Sequence, residues 1–306
     1  MNPRKKQQLC NNLTGICGLD PKDSYQPKTG KAIELYAFID PFSAECWSFE
    51  PIMKKLVMEY GEYFRIRVLL TGKLKAWNLC TDQKNSQQKK LELAQSWDRI
   101  STETGMSCDG DYWLENQRNS PFTVALAIKA AELQGPQKGG RFLRKLREKI
   151  FLEKQDITNI NTLTNCCLAA GLDVEEFLND LDSTTARKAL ECDITTTNDM
   201  DVETVPTFVF FNDDIEQDGI KVPGIYKYEV YQQVIEEMLG YLPPKKEKLS
   251  IESFIKKYEF VASIEIAVVY DLSLHDVKKE LTPLILQQRI EQVPVKHGTF
   301  WRYVGT

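Results

Sequence analysis

The segment from Phe42 to Trp47 holds the residues whose types and spacing could do chemistry: Ser43 and Cys46, three positions apart, flanked by two aromatic side chains. Two cysteines at that spacing across a helix start would form a dithiol–disulfide pair. The helix N-terminus lowers the pKa of the first thiol and exposes it as the attacking thiolate. Here a serine holds the first place. A hydroxyl forms no disulfide, so Ser43 and Cys46 make a degenerate redox motif and no residue is assigned a catalytic role. Serine is also a good helix N-cap, and a free cysteine is commonly a buried packing residue. One reaction-bearing alternative stays open: a hydroxyl at a helix N-terminus can donate to an anionic sulfur. Far downstream, Thr204-Val205-Pro206-Thr207 leads into the apolar run Phe208 to Phe211. Pro206 is a candidate cis-proline, since cis X–Pro bonds are uncommon and mark specific tight loops.

These residues need a frame to hold them. Lys31 to Asp40 alternates around Ile33, Leu35, Ala37 and Ile39 and predicts a strand. A turn at Asp40-Pro41 precedes a helix from about Ser43 to Tyr60, with Pro51 inside it as a kink and Gly61 as its stop. Tyr63 to Leu70 predicts a second strand, parallel to the first across a right-handed crossover. From about 71 to 200 the pattern is helical. Apolar stripes run through Leu91 to Ile100, Val124 to Leu133, Phe142 to Ile150, Leu163 to Ala170, Val174 to Leu181 and Ala186 to Cys192. Phe208 to Phe211 and Gly219 to Pro223 then predict two strands, and Tyr228 to Leu239 a closing helix.

Gly240 to Ser250, with Pro243-Pro244 followed by four charges, reads as a linker at about 241–249. Beyond it, Ile251 to Ala262 predicts a helix. Glu265 to Tyr270, the turn at Asp271-Leu272-Ser273 and Leu274 to about Leu286 predict a helix–turn–helix. Arg289 to Val295 and Thr299 to Val304 predict a β-ribbon wing. Such a unit invites a DNA-binding reading, and its charge argues against one. Residues 246–306 hold nine Lys/Arg (246, 248, 256, 257, 278, 279, 289, 296, 302) and eight Asp/Glu (247, 252, 259, 265, 271, 276, 280, 291), leaving only +1. Binding to phosphate needs far more cationic support, so no nucleic-acid partner is expected.

The whole chain carries a net charge of −5, with 42% hydrophobic and 27% charged residues, the composition of a soluble globular protein. No segment approaches the roughly 20 apolar residues of a membrane span, and the basic start, Met1 to Cys10, has no apolar stretch behind it to make a secretory signal. A cytoplasmic protein with no membrane partner is the expectation, and its eight cysteines are then thiols rather than structural disulfides. Cys10 and Cys17, in a polar tail over 1–30, offer two ligands where a structural zinc site wants four, and His275 and His297 are distant in sequence. No metal and no cofactor is expected.

The stretch Phe38 to Pro51, with Thr204 to Phe211 in the proper order after it, resembles a thioredoxin fold. The helical block between the two halves is similar to the DsbA-like arrangement. The expected fold class is therefore α/β: a DsbA-like thioredoxin domain at 31–240, with its helical insertion at about 71–200, followed by a small winged-helix-like unit at 250–306. Outside the tail, the chain resembles the YjbH/SpxH family of bacterial adaptors. The resemblance is carried by Phe38 to Pro41, Glu45 to Pro51, Gly105 to Gly110 with Trp113, Ala130 to Gly135, Lys221 to Gly224, Phe260 to Ser263, Val269 to Leu274, and Lys296 to Gly298 with Phe300-Trp301. It implies an adaptor that binds the transcription factor Spx and promotes its degradation by the ClpXP protease, with ClpX as second partner and no enzymatic activity. Family members often carry Cys-Pro-Glu-Cys at the turn and a His/Cys-rich N-terminal stretch; this chain has Ser43-Ala44 in the first place and only Cys10 and Cys17 in the second. Kappa-class glutathione transferases and isomerases share the frame and use a serine at the turn, which makes Ser43 the residue of the enzyme alternative, with a thiol oxidoreductase behind it. For an adaptor, Phe42, Trp47 and Val205 are the expected partner-binding residues, as exposed anchors beside a rigid turn.

Overall fold

The computed structural model describes residues 33–72, 86–116, 120–214 and 218–305. Its central element is β1 (Ile33–Ile39), which buries every residue from Ala37 onward. Such a strand must be covered on both faces and paired on both edges. β2 (Phe64–Leu70) runs parallel to it on one side and β3 (Thr207–Phe211) antiparallel on the other. β4 (Ile220–Pro223) closes the order β2-β1-β3-β4. Pro223 ends that edge strand, where its missing N–H costs no ladder bond.

The helix expected over 43–60 is two helices, α1 (Ala44–Ser48) and α2 (Glu50–Tyr60). The break falls at Phe49, two residues before Pro51. Proline has no N–H to continue the ladder and its ring crowds the carbonyl four residues back, so the chain restarts with Pro51 in the first turn of α2.

The helical insertion comprises α3 (Ser86–Thr104), α4 (Tyr112–Glu115), α5 (Pro121–Leu133), α6 (Pro136–Glu153), α7 (Ile160–Ala169), α8 (Val174–Leu181) and α9 (Thr184–Asp199). α5 is its hub, buried without interruption from Val124 to Ala131, with α6, α8 and α9 packed around it. Lys129 lies in that buried run. It is satisfied by Asp193 of α9 at 2.5 Å and Glu132 at 2.7 Å. Asp193 also accepts the Leu70 N–H at 3.0 Å, tying the insertion to β2. α10 (Tyr228–Leu239) packs with α2 against β1 and β3.

The C-terminal segment forms α11 (Ile251–Tyr258), β5 (Phe260–Ala262), α12 (Ser263–Tyr270), α13 (Leu274–Leu286), β6 (Ile290–Pro294) and β7 (Thr299–Tyr303), with strand order β5-β7-β6. The helix expected to run to Ala262 stops at Tyr258. Glu259 takes a positive φ (62°, with ψ −42°), and Phe260 to Ala262 leave the helix to pair with Arg302 to Phe300 of β7. Pairing with a strand about 40 residues away overrides local helical periodicity.

α2 separates two cores. Leu56 and Tyr60 belong to the larger one, whereas Met58 packs with Phe254, Ile266, Leu281 and Trp301 of the C-terminal segment. Between α2, α6 and α12 lies Glu265, with a side chain fully shielded from solvent. Its carboxylate accepts from Lys54 of α2, from Arg144 of α6 at 2.9 and 3.1 Å, and from the Ala262 N–H at 2.7 Å. Burial alone would raise the Glu265 pKa, but Arg144 and Lys54 outweigh it and hold the carboxyl at about 2. The segment joining α10 to α11 is strapped to the end of α2. Lys245 and Lys248 reach the buried Glu59 carboxylate at 2.8 and 3.1 Å, Tyr228 donates to it, and the Lys246 N–H donates to the Glu59 carbonyl at 2.9 Å.

Glu265→Gln should cost about 3–5 kcal/mol in denaturant unfolding, because it leaves the Lys54 ammonium buried without its ion-pair partner and takes from Arg144 one of three carboxylates, Glu148 and Glu50 remaining. A loss below 1 kcal/mol would contradict that account. Because the folded carboxyl titrates at about 2 and an unfolded one at about 4.3, its contribution is full above the unfolded value. It should fade as pH drops from about 4.5 towards 2, and Glu265→Leu should flatten that limb of the profile.

Candidate functional site

β1 delivers the chain into a rigid turn. Asp40 is fully buried; its carboxylate accepts the Phe42 N–H at 2.8 Å and its carbonyl accepts the Ser43 N–H at 3.2 Å. Ser43 then caps α1 from an extended conformation (φ −81°, ψ 117°), its Oγ accepting the Cys46 N–H at 3.0 Å. The same hydroxyl donates to Glu45 Oε2 at 2.9 Å. Its proton and one lone pair are thus engaged within the turn, and the side chain is buried. Cys46 is 4% exposed. Burial pushes its thiol up to about 11, against the opposing pull of the Arg147 charge and the Ser43 hydrogen bond, so near neutral pH it is protonated.

The Val205–Pro206 peptide is cis. Thr207 pairs with Phe38, which sets Pro206 beside the turn that follows Ile39. The Gly224 N–H donates to the Pro206 carbonyl at 2.7 Å, so the loop after β4 joins the same end of the sheet. The register therefore places Val205 and Pro206 at the end of the sheet where the chain leaves β1 for the turn that carries Ser43 and Cys46.

The expected aromatic anchors must be corrected. Phe42 is 3% exposed and Trp47 0%, so neither presents a face to a partner. Phe42 packs on Trp113 with ring centres 6.3 Å apart. Trp47 stacks on Phe151 at 5.5 Å and Phe300 at 6.3 Å, lies under the Arg144 guanidinium at 4.4 Å, and donates its indole N–H to the Ser107 carbonyl at 2.9 Å. The cause is tertiary: the insertion and the β6–β7 hairpin converge on α1 and cover it. At the hairpin tip Lys296 reaches Asp98, Asp109 and Asp111 at 3.2, 2.8 and 3.1 Å, and the His297 N–H donates to Ser107. Val205 is half-buried. The exposed apolar side chains at this end are instead Ile225 and Tyr226, at 40% and 45%, in the loop held by the Gly224–Pro206 bond. Sequence reading passed over them; Pro223-Gly224 marked a turn there, and an apolar pair just after a turn was the available signal. Arg147 was also missed. It is buried, paired to Glu50 at 2.7 Å, and is the cation whose charge reaches Cys46.

Cys108, Cys166 and Cys167 are buried thiols and Cys192 is half-buried, all unbridged. Cys10, Cys17 and Cys80, and the whole tail over 1–30, lie outside the described residues. Among the described residues no group of three or more His, Cys, Asp or Glu side chains is placed to hold a metal ion.

A central strand ending in a capped turn, a facing cis-proline and an inserted helical block define a thioredoxin-class protein of the DsbA-like kind. Residues 36–233 match the thioredoxin family. The same fold occurs in a candidate protein disulfide isomerase from Nitrosomonas europaea (TM-score 0.58, 15% identity, covering 68% of this chain and 98% of that one). It occurs also in the cytosolic disulfide reductase DsbM from Pseudomonas aeruginosa (TM-score 0.50, 16% identity, 68% and 95%). At such identities the likeness concerns the fold alone. Closer likeness runs along nearly the whole sequence: the chain belongs to the family of ClpXP adapter proteins SpxH. The member from Halalkalibacterium halodurans is 54% identical over 305 residues, covering 99% of this chain and 100% of the relative. That from Bacillus subtilis is 45% identical over 278 residues, covering 90% and 91%.

Two outcomes should follow at the turn. Ser43→Ala should lose about 1 kcal/mol through the cap, read from unfolding midpoints at constant m-value. Cys46 in native protein should alkylate far more slowly than a free thiol at neutral pH, with the rate rising towards pH 11; labelling as fast as in unfolded protein would contradict the burial.

Proposed function

We propose that this chain is a ClpXP adaptor that binds the transcription factor Spx and hastens its degradation, doing no thiol chemistry at Ser43 and Cys46. The observation that carries the reading is the engaged Ser43 hydroxyl. A thioredoxin frame retains its turn, its cis-proline and its helix start, while the residue in the nucleophile's place spends its hydrogen-bonding capacity on Cys46 and Glu45. What remains is a shaped surface. The relatives named ClpXP adapter protein support the role from outside the site.

The enzyme alternatives fit the geometry less well. A serine serving a glutathione thiolate must offer its O–H to the ligand, and here the buried hydroxyl lies 2.9 Å from the Glu45 carboxylate, which competes for it. An oxidoreductase needs a low-pKa exposed thiol, and Cys46 is buried with a raised one. In this reading the chain divides into a DsbA-like unit at 31–240, a linker at 241–249 and a winged-helix-like unit at 250–306 whose α–β–α–α–β–β order suits a winged helix. The near-neutral charge of that last unit favours protein contacts over nucleic acid. Among the described residues no helix is long and apolar enough to cross a membrane, in keeping with action in the cytoplasm beside ClpXP. The partner-facing end around Val205 takes its apolar contacts from Ile225 and Tyr226 rather than from Phe42 and Trp47, with backbone pairing along the cis-proline loop.

With purified Spx, ClpXP and ATP, a substoichiometric amount of this protein should shorten the half-life of Spx while its own level persists. An unchanged half-life, or consumption of the adaptor at the rate of Spx, would refute the reading. Cys46→Ser should leave the acceleration within about twofold of the parent, since a buried protonated thiol takes no part in binding.

A further inference from the structure

Two exposed apolar spots stand at opposite ends of α10. At its start lies the cis-proline loop with Ile225 and Tyr226. At its end Gly240 takes a left-handed conformation (φ 78°), and the chain passes into Tyr241-Leu242-Pro243-Pro244, outside any helix or strand. Tyr241 and Leu242 are 49% and 44% exposed. Being neighbours in sequence, they make one apolar patch without help from another element. Pro244 is exposed beside them, and Pro243 is buried as the foot of the segment.

This is a stretched, fixed segment and not a slack spacer. A residue before proline is confined to extended or polyproline conformations, which applies to both Leu242 and Pro243. Each proline ring also fixes its own φ near −65°. Both ends are tied down: the Gly240 N–H donates to the Glu236 carbonyl at 2.8 Å, and the Lys246 N–H to the Glu59 carbonyl at 2.9 Å. The lysines that follow are drawn back onto the body. Lys245 and Lys248 reach Glu59 at 2.8 and 3.1 Å, and Lys248 also reaches Asp271 at 2.9 Å. A plain spacer would rest its apolar groups on the body and leave its charges in water. Here the charges are turned in and the apolar groups out. Among the described residues neither the Tyr241 nor the Leu242 N–H meets a backbone acceptor, so main-chain donors accompany the exposed side chains. A proline-bearing extended segment is already ordered before it binds, and the surfaces that take one are grooves lined with aromatic side chains.

We propose that Tyr241–Pro244 is a docking segment for an aromatic-lined groove on ClpX. The choice of partner rests on the adaptor reading, in which the cis-proline end holds Spx. An adaptor must hold its cargo and the protease at once, so its second contact has to lie clear of the first. α10 has 12 residues, which at 1.5 Å per residue puts about 18 Å of helix between the two spots. Both can be occupied together.

The test uses the full chain and purified ClpX with ATP. Wild-type protein should bind ClpX saturably in a surface-plasmon titration. Tyr241→Ser/Leu242→Ser should weaken binding about tenfold or more, Leu168→Ser on α7 should leave it unchanged, and circular dichroism should show both variants folded. A synthetic peptide spanning residues 240–250 should compete with the full chain. The same peptide carrying Pro243→Gly/Pro244→Gly should compete far less, having lost its preset shape. No binding of ClpX, equal binding by the docking variant, or no competition by the unaltered peptide overturns the proposal. Spx degradation by ClpXP, measured alongside, separates the two readings. Equal acceleration by wild-type protein and the docking variant refutes the docking segment and leaves the adaptor reading standing. No acceleration by wild-type protein refutes the adaptor reading, and the ClpX titration alone then decides the segment.

Discussion

The structure depends on one buried carboxylate. Glu265 has no contact with solvent, yet it joins three elements far apart in sequence: Lys54 of α2, Arg144 of α6 and its own α12. A charge in such a place is tolerable only with good geometry and full partnering, so the three helices have little freedom in how they meet. α2 is then committed on two sides, packing Leu56 and Tyr60 into the larger core and Met58 into the smaller. The rest of the C-terminal segment inherits its position from that contact, including the β6–β7 hairpin that carries Phe300 onto Trp47.

That placement alters the character of the site. In a thioredoxin frame the helix start beside the cis-proline is the reactive corner. Here the corner is reinforced instead of opened. Asp40 holds the turn, Ser43 caps the helix and binds Glu45, and Trp47 is enclosed by α6 and the hairpin. The side chains that would serve a transferring thiol are occupied in holding shape. A protein whose work is to present a surface gains from such rigidity, since a preorganised surface loses less entropy on binding.

Exposure and charge are distributed accordingly. Near the cis-proline the exposed apolar groups are Ile225 and Tyr226; on the insertion they include Leu114, Ile160, Leu168 and Leu178. The C-terminal segment spends much of its charge internally and at its seam, through Glu265, Lys248–Asp271 and Lys296 with its three carboxylates. Surface charge left unpaired, rather than total charge, is what a partner meets.

Most of the secondary structure was legible in the sequence because local rules govern it. Alternation announced β1, periodicity of 3.6 announced the helices of the insertion and α10, and serine three residues before Cys46 announced the α1 cap. The loss of the nucleophile was equally plain, being a matter of residue type at one position. Wherever a distant partner decides, the sequence fell short. Phe260 to Ala262 became a strand only because β7 lies beside them, whereas the interruption of the helix over 43–60 at Phe49 has a local cause, the expected kink at Pro51. Phe42 and Trp47 illustrate the limit best. Their position beside a rigid turn suggested exposed anchors, and no local signal revealed that Trp113, Phe151 and Phe300 would arrive from three separate elements to cover them. Residue type and spacing determine which bonds a segment can make with itself. Burial is set by what the rest of the chain brings to it, and that is fixed by tertiary packing alone.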